Sequence, residues 1–316
     1  MFVVCGEALW DLFGRDDGAG GLAFEARIGG SPFNVAVGLA RLGRPAALFG
    51  GLSTDRLGER LAGALAAEGV STALLKRTAR PTTLSMVETD AAGSPVYAFY
   101  GEGAADRAVD VGDLPAFGAE VWGVHAGSYC LVAEPVGSAL LALFEREAGR
   151  RLLSLDPNAR LAVEPDGARW RARIDRFAAH ADLVKASAED FELLYPGEDR
   201  DAVVAHWLDL GARLVVVTLG PDGAEAHSAA HGRVAVAGRA IRVVDTVGAG
   251  DTFQAALIAG LAERGATTRA ALDRLDRDAL TTLLDFAVEA AAITCTRRGA
   301  DLPRRGELST PVMEAR

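Results

Sequence analysis

The sequence contains no run of eighteen apolar residues. Its most Ala-rich stretch, Ala287 to Thr294, is broken by Glu289 and followed by Arg297, whereas a membrane helix needs about 20 apolar residues in succession. No membrane partner is expected. No secretory leader is expected: Phe2-Val3-Val4-Cys5 runs straight into Glu7 and Asp11 with no basic segment and no cleavage pattern. Cysteine is scarce, and Cys5, Cys130 and Cys295 lie far apart without a CxxC pair. They cannot form the disulfide framework of a small secreted domain. They read as reduced core residues, so a cytoplasmic location is expected. Basic charge is also short: 33 Lys and Arg face 43 Asp and Glu, a formal net charge of -10. A nucleic-acid backbone would be repelled, so no nucleic-acid partner is expected.

Several catalytic signatures are absent. There is no Gly-x4-Gly-Lys-Ser/Thr, which excludes a P-loop, and no Gly-x-Gly-x-x-Gly after a strand, which argues against a dinucleotide site. The five histidines form no HExxH pair, and no Gly-x-Ser-x-Gly elbow occurs. His125, at a strand end beside Gly127 and Ser128, could border a pocket but reads first as a structural histidine.

Half the 316 residues are hydrophobic but only 6% are aromatic, so the core should be Ala, Val and Leu, as when helices cover a buried parallel sheet. Short β-branched runs alternate with segments of helical period, the order expected of βα units with right-handed crossovers. The strand candidates are Phe2 to Cys5, Ala46 to Phe49, Val121 to Ala126, Arg151 to Leu155, Leu183 to Lys185 and Arg213 to Thr218. Ser31 as N-cap and Pro32 at the first helical position predict a helix over Pro32 to Leu42, closed by Gly43. A different texture begins at Leu84: Leu84 to Glu88 and Val96 to Tyr100 flank the turn Asp90-Ala91-Ala92-Gly93 and predict a hairpin outside the main sheet. With residues 12–28 it could form a small β lid. A polar tail follows Pro303.

The stretch that carries chemistry is Asp245-Thr246-Val247-Gly248-Ala249-Gly250-Asp251-Thr252-Phe253, which opens the apolar helical run Gln254 to Leu261. Glycines at a helix entrance let a ligand approach the backbone, and first-turn amides with no intrahelical partner form an anion site. A carboxylate there would repel a merely bound phosphate. It suits a reaction in which Asp251 accepts the proton of an attacking hydroxyl while the amides of Gly248, Ala249, Gly250 and Asp251 hold developing phosphoryl charge. An ordinary N-cap turn would use the same residues differently.

The full string resembles the Asp-Thr-x-Gly-Ala-Gly-Asp signature of the ribokinase-like (PfkB) carbohydrate kinase family. Gly29-Gly30-Ser31-Pro32-Phe33-Asn34, continuing to Gly43, resembles that family's N-terminal signature, and Asp156-Pro157-Asn158-Ala159-Arg160 resembles its fructokinase-like branch. The resemblance implies a doubly wound, mostly parallel α/β sheet flanked by helices, with a small β-sheet lid. The core would take residues 1–11, 29–81 and 104–316, and the lid residues 12–28 and 82–103. It further implies an ATP-dependent sugar kinase with Mg2+, most simply a fructokinase; a 2-keto-3-deoxygluconate kinase, a ribokinase, a nucleoside-like kinase or a silent sugar-binding regulator on the same fold are the alternatives.

The resemblance assigns the sugar to Asp11, Gly29, Gly30, Asn34, Tyr100, Asn158, Arg160 and Asp251. It assigns ATP to Lys185, Ser187, Thr218, Gly220, Gly223, Gly248, Gly250 and Cys295. Asp190, where the wider family carries Glu, would place magnesium through water. Asp245, Val247, Arg297 and Gly299 would surround a monovalent cation, K+ being the natural one. A homodimer joined through lid strands is also implied.

Overall fold

In the computed structural model, which describes residues 1–16, 18, 20–89 and 95–309, the chain begins with β1 (Phe2–Cys5), β2 (Leu9–Asp16), β3 (Leu22–Gly29) and α1 (Ser31–Arg41). It continues through β4 (Ala46–Ser53), α2 (Arg56–Ala67), β5 (Leu75–Thr78), β6 (Leu84–Thr89) and β7 (Pro95–Tyr100). Then follow β8 (Gly123–Gly127), α3 (Val136–Glu147), β9 (Leu152–Asp156), α4 (Gly167–Ala178), β10 (Leu183–Ser187), α5 (Ala188–Leu194), α6 (Arg200–Leu210) and β11 (Leu214–Thr218). A hairpin of β12 (Ala224–Ser228) and β13 (Gly232–Val236) precedes α7 (Ala249–Glu263), α8 (Arg269–Leu272) and α9 (Arg277–Cys295). The expected turn Asp90 to Gly93 and the end of the polar tail lie outside the described residues.

The apolar runs line up in one sheet of order β13-β12-β11-β10-β9-β8-β1-β4-β5. Neighbours from β11 to β5 are parallel, and only the β12–β13 hairpin runs antiparallel. Buried apolar residues cover both faces of the parallel part, which is why its strands read as continuous hydrophobic runs rather than alternating ones. The expected doubly wound sheet is therefore present. A separate sheet of order β3-β2-β6-β7 stands apart from it. It includes Leu9 to Asp11, so Asp11 is a strand residue of the small sheet and not part of a loop after β1.

Two boundaries moved for steric reasons. β4 runs through Gly50-Gly51 to Ser53, because a Cβ at Gly50 would lie 2.2 Å from the Gly6 carbonyl oxygen and one at Gly51 would lie 1.8 Å from that of Ala105. These glycines mark close backbone approach inside a strand. At α1 the N-cap is Gly30 (φ 104) rather than Ser31, whose hydroxyl is buried without a partner. A Cβ at Gly30 would sit 2.7 Å from the Glu7 carbonyl oxygen, so only glycine fits there, and the helix begins one residue earlier than expected, at Ser31.

Helix α7 is buried from Asp251 to Leu261 and packs between α1 and α9. The α1 crossing is close because Gly38 lacks a side chain; its Cβ would fall 2.6 Å from that of Ala255. Asn34 and Asp251 each lie four residues earlier on their helices. That crossing brings the two together.

Candidate active site

The amide end of α7 opens toward the ends of β9 and β10. Gly248 caps the helix in the left-handed conformation (φ 78), and a Cβ there would press on Ala300. Of the expected anion-holding amides, that of Ala249 is taken by the Thr246 carbonyl at 3.2 Å. Those of Gly248, Gly250 and Asp251 have no partner among the described residues, leaving donors for an anion.

Asp251 is buried at 8% exposure. Its Oδ2 accepts a 2.7 Å hydrogen bond from Asn34 Nδ2, and its other oxygen has no hydrogen-bond partner among the described residues. Asn34, expected on the sugar, thus holds Asp251. One carboxylate oxygen held and one free is the geometry a general base requires.

Lys185 lies against this helix end, with its Nζ 3.3 Å from where a Gly250 Cβ would stand. It is itself held by Asp156 Oδ2 at 2.9 Å, both side chains being almost wholly buried. Burial alone would lower the lysine, but the Asp156, Asp190 and Asp251 carboxylates hold it above its ordinary value. Asp156 is pushed up to about 6 by burial, against the pull of Lys185. A fixed positive charge thus sits beside the free amides.

Asp11 on β2 belongs to the same cluster. Burial raises it to about 6, with the Ser85 hydroxyl and Arg160 opposing and Asp251 adding to the rise. Gly29 makes room for it: a Cβ there would lie 2.1 Å from Asp11 Oδ2. Asn158 holds a left-handed φ of 39, a strained value for a non-glycine residue. Arg160, bonded to the Asn158 and Ala159 carbonyls, is thereby brought to bear on Asp11.

Other expectations need correction. Tyr100 pairs with Leu84, which pairs with Trp10, whereas Asp11 pairs with Ser85 and Ser85 with Phe99. Pleating therefore turns Tyr100 to the face opposite Asp11, and it is 63% exposed. The Asp190 carboxylate is occupied: it accepts from the Ala159 amide (2.8 Å), the Ser187 amide (2.8 Å) and the Ser187 hydroxyl (2.7 Å). Asp190 and Ser187 form a capping box for α5, and Asp190 fastens the β9 loop. Asp245 is likewise consumed by the amides of Val247 (3.1 Å) and Gly299 (2.8 Å), and the Cys295 carbonyl accepts from those of Val244 and Asp245. These bonds join the two late loops, while the Arg297 side chain pairs with Glu307 and Asp301. Thr218 ends β11. Gly220 faces open space, but Gly223 is glycine because a Cβ would lie 2.2 Å from the Val236 carbonyl oxygen.

Two groups escaped the sequence reading. Ser85 stands opposite Asp11 only through the β2–β6 register, which no local pattern in Leu84–Thr89 signals. Beneath α7, Gln254 donates to Ser154 at 2.7 Å and Ser154 meets His125 at 3.1 Å. Burial, with Lys185 nearby, pushes His125 down to about 3, so it is neutral and supports the floor rather than moving protons.

Residues 1–305 match the model of the pfkB family carbohydrate kinases. The chain belongs to that family. A fructokinase of Rhizobium leguminosarum bv. trifolii is 41% identical over 280 residues, covering 89% of this chain and 85% of that protein. Among solved structures, a fructokinase with bound ATP from Xylella fastidiosa superposes with a TM-score of 0.87 at 28% identity, covering 97% of this chain and 96% of that one. A fructokinase double mutant from Vibrio cholerae O395, bound to fructose, ADP and a potassium ion, gives 0.81 at 27% identity over 95% and 93%. As a pfkB carbohydrate kinase the chain is a phosphotransferase acting on a sugar.

Proposed function

We propose that this chain phosphorylates D-fructose at its primary O6 hydroxyl with ATP as donor. The observation that carries the reading is Asp251: one oxygen is held by Asn34, the other is free, and it stands beside unpartnered amides and a buried lysine. In this reading the free oxygen takes the hydroxyl proton as transfer proceeds. The Gly248, Gly250 and Asp251 amides and Lys185 receive the phosphoryl charge. Asp11, Gly30, Asn158 and Arg160 orient the sugar. The fructokinase names of the relatives support fructose over other sugars.

The residues suit a magnesium-bearing nucleotide. Amides and an ammonium favour phosphate, the open space at Gly220 leaves room beside Thr218, and buried Asp156 Oδ1 lacks a partner among the described residues, an acceptor of the kind a metal-bound water uses. Magnesium, when bound, would neutralise phosphate charge. A potassium ion near the Val247, Arg297 and Gly299 backbone is part of the same proposal, with Asp245 holding the loops that would line it. The small sheet is proposed as the lid over a core formed by the rest of the chain; since β2 begins at Leu9 and β3 ends at Gly29, its first part takes residues 9–29 rather than 12–28, and β6 and β7 fall within the expected 82–103. Exposed Leu22 and Phe24 on its edge strand β3 favour a homodimer through that sheet. Three free cysteines, two of them buried, suit the cytoplasm.

Coupled ADP release should be measured over fructose, 2-keto-3-deoxygluconate, ribose and nucleosides. Fructose should give the highest kcat/KM, with fructose 6-phosphate as product. Turnover of the keto-acid sugar without fructose would contradict the substrate, and binding of sugar without ADP release from any of them would contradict catalysis.

A further inference from the structure

The chain passes between the two sheets four times: at residues 6–8, at Gly30, at 79–83 and at 101–104. The last two of these crossings meet beside one buried carboxylate. Asp106, 2% exposed, accepts from Thr83 Oγ1 at 2.5 Å, at the entry of β6, and from Tyr129 Oη at 2.6 Å, in the core just after β8. Thr83 and Tyr129 are each 1% exposed. The neighbouring Ala105 amide bonds the Pro81 carbonyl at 2.9 Å, joining the third crossing to the fourth. Gly30 packs on the Glu7 backbone, joining the second to the first. The Glu7 side chain, buried beside Ser128 and Cys130, is pushed up to about 7 by burial, and the Asp106 carboxylate adds to that rise. Tyr129 also meets the small sheet directly, its ring edge-on to Phe99 of β7 at 5.6 Å.

Asp11 rides on the small sheet and Asp251 on helix α7 of the core, yet both must address the same sugar. Their relative placement depends on the crossings, and a misplacement of about 1 Å at a reacting centre costs on the order of 100-fold in rate. We propose that Asp106 is a positioning residue that fixes the small sheet over the sugar site through Thr83 and Tyr129. This rests on the sugar-kinase reading above. Asp106 touches no substrate; it acts through Asp11 and through exclusion of water from the phosphoryl group.

The test compares wild-type enzyme with Asp106→Ala, Thr83→Val, Tyr129→Phe and Asp106→Asn, measuring KM for fructose, KM for ATP and ADP formed per sugar phosphate. For Asp106→Ala the fructose KM should rise about tenfold or more, with the ATP KM within about twofold and ADP exceeding sugar phosphate. Thr83→Val and Tyr129→Phe should each show part of this. Asp106→Asn, able to accept from one hydroxyl and donate to the other, should restore most of it. If Asp106→Ala does not fold, the two single-hydroxyl variants decide. Unchanged coupling and fructose KM in those variants, or a uniform loss in all parameters with no rescue by asparagine, would overturn the proposal. A wild-type enzyme that turns over no sugar would instead overturn the kinase reading on which it stands.

Discussion

Replacing Lys185 with methionine should destabilise the protein in a pH-dependent way. Lys185 and Asp156 form a pair with side chains 3% and 0% exposed, and removing one partner of a buried pair costs about 3–5 kcal/mol because the other charge is stranded. At roughly 2–4 °C per kcal/mol the melting point should fall by on the order of 10 °C at pH 8. The sign of the pH effect follows from Asp156. Burial already lifts it from 3.8 to about 6 in the fold, with Lys185 pulling down by charge and by hydrogen bond. Its protonation therefore contributes stability that is complete below its ordinary value and lost as pH rises through the folded value. Without the lysine that folded value moves higher, so Asp156 is already neutral at pH 5.5 in the variant and the deficit should shrink there. Adding Asp156→Asn should recover most of the loss at pH 8. Thermal denaturation of the three proteins at pH 5.5 and 8 measures all of this. A deficit that is equal at both pH values, or a double variant no better than the single, would refute the reasoning.

Asp11, held near 6 by burial, must be ionised to accept from sugar hydroxyls; the fructose KM should climb as pH falls through about 6, and Asp11→Asn should give a high KM without that limb, both read from initial rates between about pH 5 and 8. Gly250→Ala should fold normally, since its only close contact is the Lys185 ammonium at 3.3 Å, yet lose about tenfold or more in kcat/KM for ATP, because the methyl occupies phosphate space. Leu22→Lys with Phe24→Glu should shift a dimer to monomer in sedimentation, leaving the melting point within about 2 °C, as both side chains are exposed.

The large sheet was legible because its strands are buried on both faces and read as unbroken apolar runs, as in Leu214 to Thr218. Strand ends were less so. The expected strand stops at Phe49, short of Gly50-Gly51, because the place of these glycines inside β4 depends on the carbonyls of Gly6 and Ala105, which no local pattern reveals. The α7 entrance stood out because glycines beside an aspartate conflict with simple phosphate binding. What escaped was pairing across the chain. That Asn34 would bond Asp251, 217 residues away, depends on the Gly38–Ala255 helix crossing. Tyr100 was set on the wrong face because its side depends on register with Trp10 and Leu84. Asp190 and Asp245 were read as metal-facing because motif position says nothing of which amides a carboxylate has already met. Asp106 drew no attention, since its partners Thr83 and Tyr129 each lie 23 residues away.

The central claim is that Asp251 takes the proton from the sugar. Asparagine at this position can still accept from Asn34 and keep the packing, but it cannot take up a proton. Single-turnover phosphorylation by Asp251→Asn, alongside calorimetric fructose binding, tests the claim most directly. The rate should fall by about 10²–10⁴-fold or more with fructose affinity changed only a few-fold. A rate within about tenfold of wild type would contradict it.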